Sequence, residues 1–97
     1  MKQITQEQKT KRKKITFSFN ASGAKEVILA GDFNQWESNK HKMKKNADGS
    51  WTRTLILPPG QYEYKFLVDG KWKEDPQNPL VCSNCFGSIN SVINLPA

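Results

Sequence analysis

The stretch from Gly60 to Trp72, Gly-Gln-Tyr-Glu-Tyr-Lys-Phe-Leu-Val-Asp-Gly-Lys-Trp, leaves this chain little choice of conformation. Tyr62, Tyr64, Phe66 and Val68 alternate with Glu63, Lys65 and Leu67, which is the period of a β-strand. Asp69-Gly70 follows as a two-residue type I′ turn, in which both central residues must accept positive φ. A two-residue turn sets register. Val68 is expected opposite Lys71, Leu67 opposite Trp72, Phe66 opposite Lys73 and Lys65 opposite Glu74. The tyrosines, Phe66 and Val68 then make a core face, and Lys65, Leu67 and Trp72 make the other. A tryptophan outside the core and diagonal to a lysine suits a flat ligand. Packing of Trp72 under a loop is the plain alternative.

The rest of the chain extends this pattern. Lys13 to Asn20 alternates, with Ile15, Phe17 and Phe19 inward. Strands are also expected over Glu26–Ala30, Met43–Lys45, Trp51–Leu57, Lys71–Lys73 and Ser88–Leu95. Asp48-Gly49 supplies a second hairpin turn, and Trp51 is expected in the core or in hairpin packing. Residues 74–86 are expected to be a long loop carrying two prolines and both cysteines. No segment has a helical period. About seven short strands with turn signals between them predict an all-β, immunoglobulin-like sandwich of mostly antiparallel strands.

Composition matters chiefly for what it excludes. The formal charge of +6 invites a nucleic-acid reading. Residues 1–14 hold six Lys or Arg against Glu7, a net of +5; residues 15–97 hold nine against eight acids, a net of +1. The basicity therefore belongs to an arm, and nucleic acid is not the expected partner. Residues 1–12 are expected to be a disordered basic arm, and residues 13–97 one domain. No apolar run is long enough to span a membrane and no secretory signal is visible, so a cytoplasmic location is the default expectation.

Catalysis is not expected. The chain has a single histidine, His41, no Ser-His-acid set and no phosphate-cradling glycine loop. Glu74 and Asp75, adjacent on an extended segment, should point to opposite faces rather than across a cleft. Cys82 and Cys85 with one histidine cannot complete a four-ligand zinc site in one chain, and no helix follows to make a thioredoxin-like motif. They read as reduced thiols, with a local disulfide or a metal shared between chains as alternatives. No cofactor or metal is expected. Binding fits better: Trp36 beside Asn34 in a loop, Trp72 and Lys65 on one face, and Phe86 before Ser88 and Asn90. Flat rings match the apolar face of a sugar, and Lys, Asn and Ser match its hydroxyls.

Two long motifs carry a family resemblance. Glu26 through Trp36, with Gly-Asp-Phe-Asn-Gln-Trp at its end, resembles the first signature of carbohydrate-binding module family 48. Leu57 through Trp72, followed by Asp75-Pro76, resembles the second. The similarity is closest to the glycogen-binding domain of the AMP-activated protein kinase β subunit, and it extends to isoamylase N-terminal domains that accompany glycoside hydrolases. It covers about residues 13–95. It implies a non-catalytic immunoglobulin-like sandwich that binds α-1,4-linked glucans, such as glycogen, starch or maltooligosaccharides. The stacking tryptophans would be Trp36 and Trp72. Lys65, Asn90 and Ser88 would bond hydroxyls, the last standing where the kinase domain has Thr. Phe86 stands where the kinase domain has a leucine that reaches into the curve of the sugar. Its loop is about one residue longer here, because of Cys-Ser-Asn-Cys. A module of the same fold that docks on a protein, such as a glucan-active enzyme or a kinase, is the other reading.

Overall fold

The computed structural model describes residues 12–83 and 87–96. Eight strands form among them: β1 (Lys13–Asn20), β2 (Val27–Gly31), β3 (Lys44–Lys45), β4 (Ser50–Leu57), β5 (Gly60–Val68), β6 (Lys71–Lys73), β7 (Val81–Ser83) and β8 (Ile89–Leu95). A single 3-10 turn, Asp32–Asn34, is the helical element among the described residues. The expected arm lies outside them except for Arg12, and so do Cys85 and Phe86.

The strands make two antiparallel sheets, a three-stranded one in the order β1-β4-β3 and a five-stranded one in the order β2-β5-β8-β7, with β6 also paired to β5. This is the expected all-β, immunoglobulin-like sandwich. Alternation decides what lies between the sheets. Phe17, Trp51, Leu55 and Leu57 of the smaller sheet meet Val27, Leu29, Tyr64, Phe66 and Leu95 of the larger. The rings interlock: Phe17 meets Tyr64 edge-on at 5.0 Å between centroids, and Phe19 meets Phe66 at 4.9 Å. Trp51 is 6% exposed, and its indole N–H donates to the Ala21 carbonyl at 2.9 Å, so it is a core residue as expected.

Three links tie the sheets together, one of them residues 21–26 between β1 and β2. Leu57 of β4 ends opposite Lys13, and three residues later Gly60 of β5 begins opposite Leu95. The Tyr62 hydroxyl donates to the Pro58 carbonyl at 2.6 Å and holds this crossing. On the other side, the segment after Trp36 returns along the free edge of β2. Leu29 N–H donates to the His41 carbonyl at 2.9 Å, and Met43 N–H to the Val27 carbonyl at 2.8 Å. Met43 enters the core, and the chain then joins the smaller sheet as β3.

The central hairpin has the predicted register: Val68 faces Lys71, Leu67 faces Trp72 and Phe66 faces Lys73. Both turn residues are left-handed, Asp69 at φ 48 and Gly70 at φ 83. The expected pairing of Lys65 with Glu74 does not form, because β6 ends at Lys73. The chain leaves there so that Asp75 can reach the core: its carboxylate accepts the Tyr64 hydroxyl at 2.7 Å, and its N–H donates to Ser91 Oγ at 2.8 Å. The loop beyond is also not wholly irregular. Val81–Ser83 forms β7 at the edge of the larger sheet, with Cys82 opposite Asn90.

Candidate functional site

Gly31 is where the site begins. It closes β2 in extended backbone opposite Tyr64, and a Cβ there would lie 2.5 Å from the Glu63 carbonyl oxygen. Only glycine lets β2 press this close to β5 before the chain turns away. The 3-10 turn follows, then Gln35 at φ 56 and Trp36 at φ 60, two successive left-handed non-glycine residues. Such backbone is costly and has to be held. Asn34 does much of the holding. It is buried, its side-chain oxygen accepts the Gly31 N–H at 3.0 Å, and its amide donates to the Leu29 carbonyl at 3.0 Å. The same amide meets His41 Nδ1 at 2.8 Å, which requires that nitrogen to be an acceptor. Partial burial, then Arg53 and Lys40, keep His41 below its ordinary pKa and so favour the neutral ring.

This turn delivers Trp36 to Trp72. Their ring centroids are 6.2 Å apart and their planes are inclined by 66°. The two tryptophans read from separate parts of the sequence therefore form one angled pair. Trp72 is 47% exposed, so the ring does not pack away under a loop.

The polar candidates lie on the same outer face of β5 and β8. Lys65 is only 8% exposed and its ammonium donates to Ser88 Oγ. Its stem is covered, and its charged end already has a partner, unlike that of a lysine standing in water. Asn90 is 5% exposed, and its amide donates to Glu63 Oε1 at 2.9 Å. Thus one contact joins Trp36 to Trp72 and another joins Lys65 to Ser88, Asn90 is held by Glu63, and Phe86 lies outside the described residues.

Two residues not singled out in the sequence complete the arrangement. Asp32 Oδ1 accepts the Trp36 indole N–H at 3.0 Å, and its Oδ2 accepts the Glu63 backbone N–H at 2.8 Å. Glu63 in turn holds Asn90. The four-residue spacing of Asp32 and Trp36 was visible in the sequence; the reach of Glu63 to Asn90 needs the β5–β8 register. Cys82 stands beside these carboxylates. Burial, a hydrogen bond to Glu63 and the charges of Glu63 and Asp32 push its thiol up, toward the protonated form. Among the described residues no group of three or more His, Cys, Asp or Glu is placed to hold a metal ion, and no helix is long and apolar enough to cross a membrane.

Comparison with known proteins agrees with this architecture. The chain is 50% identical over 62 residues to protein PTST homolog 2, chloroplastic, from Arabidopsis thaliana, covering 64% of this chain and 12% of that protein. It is 40% identical over 75 residues to the human 5'-AMP-activated protein kinase subunit beta-2, covering 77% of this chain and 26% of that one. The chain thus spans about a quarter or less of these relatives. The crystal structure of a maltogenic amylase from S. marinus superposes with a TM-score of 0.76 at 21% identity, over 89% of this chain and 14% of the amylase, which is agreement in fold. Residues 13–97 match the family described as the glycogen recognition site of AMP-activated protein kinase, and the chain belongs to that family.

Proposed function

We propose that this chain is a non-catalytic module that binds α-1,4-linked glucans through the outer face of the larger sheet. The observation that carries the reading is the angled pair of half-buried Trp36 and exposed Trp72 beside a row of hydrogen-bonding side chains. Two inclined platforms match a glucan that curves between successive rings better than a flat ribbon. Trp36 and Trp72 stack on glucose rings. Lys65, Ser88 and Asn90 bond hydroxyls. Phe86 enters the proposal from the family resemblance alone.

Family membership supports the ligand class, and the kinase subunit and the chloroplastic relative suggest that such a module works within a larger assembly. A protein partner, such as a kinase or a glucan-active enzyme, is therefore part of the proposal. The expected cytoplasmic location widens to any compartment that stores α-glucan, since one relative is chloroplastic by name.

Each tryptophan covered by a glucose is worth roughly 1–3 kcal/mol. Titration with maltoheptaose should give an affinity of about micromolar to millimolar, and cellohexaose should bind more weakly. Trp36→Ala and Trp72→Ala should each weaken maltoheptaose binding by at least about tenfold. Lys65→Ala should cost less than either, because its ammonium keeps the Ser88 hydroxyl as a partner when no sugar is present. If wild type ignores maltoheptaose, or both tryptophan variants bind it unchanged, the glucan reading fails and docking on a protein takes its place.

A further inference from the structure

We infer that Asp32 and Glu63 are positioning residues of this site, two carboxylates that lock its stacking end to its hydrogen-bonding end. The inference rests on the glucan reading above. A continuous path supports it: Trp36 Nε1–H donates to Asp32 Oδ1 at 3.0 Å, Glu63 N–H to Asp32 Oδ2 at 2.8 Å, and Asn90 Nδ2–H to Glu63 Oε1 at 2.9 Å. Every bond on it ends on a carboxylate, the acceptor type that makes the stronger hydrogen bonds.

Each link settles one degree of freedom that a sugar site needs settled. Trp36 stands on a turn with left-handed backbone, so its ring plane is not set by a strand. The bond to Asp32 orients the indole. Asp32 is itself anchored to the backbone of β5, the strand that carries Lys65. The plane of Trp36 is thus referenced to the sheet rather than to its loop. That anchor exists because β2 pairs with β5 only as far as Gly31 and Tyr64, and the Glu63 N–H lies just beyond the ladder. Asn90 poses a different problem. Its amide can present either its oxygen or its nitrogen in a given direction. Glu63 Oε1 accepts only, so it selects the orientation with the nitrogen toward β5 and thereby aims the amide oxygen. Neither carboxylate needs to touch the sugar for this to work. Their contribution is preorganisation: side chains ordered in advance are not ordered at the expense of binding.

The test uses Asp32→Asn, Asp32→Ala, Glu63→Gln and Glu63→Ala, each titrated with maltoheptaose. Near-UV circular dichroism reads the Trp36–Trp72 pair without sugar, and far-UV spectra with thermal unfolding report the fold. Asp32→Ala and Glu63→Ala should bind about three- to tenfold more weakly while keeping the β spectrum. Asp32→Ala should also change the near-UV signal, which a purely structural role would leave alone. Glu63→Gln, which keeps an acceptor oxygen, should recover most of the affinity lost in Glu63→Ala. In a Trp36→Phe background the effect of Asp32→Asn on affinity should shrink, since the indole donor is gone. Should Asp32→Ala fail to fold, Asp32→Asn and the Glu63 pair carry the test. Wild-type affinity in both alanine variants would overturn the inference and leave the glucan reading standing. If wild type itself does not bind the sugar, an unchanged near-UV spectrum in folded Asp32→Ala, which removes the acceptor, would still refute the lock on Trp36.

Discussion

The chain contains the dipeptide Asp-Gly twice at hairpin turns, and the two turns are built differently. At Asp69-Gly70 both residues have positive φ, 48 and 83, and the strands continue in register on either side. At Asp48-Gly49 only the glycine is left-handed, at φ 88. There Gly49 N–H bonds the Asn46 carbonyl at 3.1 Å and Asn46 N–H bonds the Ser50 carbonyl at 2.7 Å, closing a three-residue loop. The carboxylates differ as well. Asp48 bonds Ser50, two residues away, through its N–H at 3.0 Å and its hydroxyl at 2.6 Å. Asp69 reaches across the sheet to the N–H groups of Lys25 and Glu26, at 2.9 and 2.8 Å, and its own N–H returns to the Glu26 carbonyl at 2.9 Å. One aspartate shapes its own turn; the other fastens the start of β2 to the tip of the hairpin that carries Trp72. A dipeptide names a turn, but loop length and what stands nearby decide its geometry and its reach.

Substitutions can break this comparison at either turn. The largest effect is expected for Gly49→Ala, which meets two faults: left-handed backbone, and a Cβ 2.7 Å from that of Ser22. It should lose about 2–4 kcal/mol in denaturant unfolding. Asp69→Ala should lose about 2 kcal/mol by removing charge-assisted bonds to two backbone donors. Because those bonds seat the Trp72 hairpin against β2, it should also weaken maltoheptaose binding, whereas Asp48→Ala should not. Gly70→Ala meets only the φ penalty, with nothing within 4 Å of the added carbon, and should lose about 1–2 kcal/mol. A Gly70→Ala loss equal to that of Gly49→Ala would show that the contact with Ser22 is immaterial.

The smallest effects are those of pH. Bonds from Ser50 hold Asp48 below its ordinary pKa of 3.8. A depressed carboxylate adds stability that is complete above the unfolded value and is lost as pH falls through the folded one. The difference between wild type and Asp48→Ala should therefore close as pH drops below 3.8. His41 works at a higher pH. Its pKa lies below 6.5, so its contribution is full above that value and declines as pH falls beneath it, when a second ring N–H would confront the Asn34 amide. Unfolding curves between pH 7 and 5 should show the decline, and His41→Gln should flatten it (about neutral to weakly acidic conditions suffice).

Strand order along the chain was legible because alternation and turn residues are local signals. The outer placement of Lys65 and Trp72 followed from register alone. The angle between Trp36 and Trp72 was not legible: it depends on Gly31 stopping opposite Tyr64 and on the left-handed turn that follows. Nor was β7, three residues after two prolines, whose strand character comes from pairing with β8 rather than from its own pattern. The buried setting of Lys65 was missed for a similar reason, since its partner Ser88 lies 23 residues away. Sequence shows which face a residue takes; who meets it there is set by long-range pairing.

The crossing between β4 and β5 has a mechanical consequence. Lys13 lies opposite Leu57 and Leu95 opposite Gly60, so the first strand begins and the last strand ends at one pole of the sandwich. Trp72 lies opposite Leu67, seven residues up β5 from Gly60, or about 23 Å at the rise of a strand. Whatever polypeptide precedes Lys13 and follows Leu95 leaves from that pole, and the tryptophans sit toward the other. A module built this way can be spliced into a longer chain on two neighbouring stalks without prying its sheets apart. Any reorientation of the module about that pole would carry the tryptophans through an arc while leaving their mutual angle untouched.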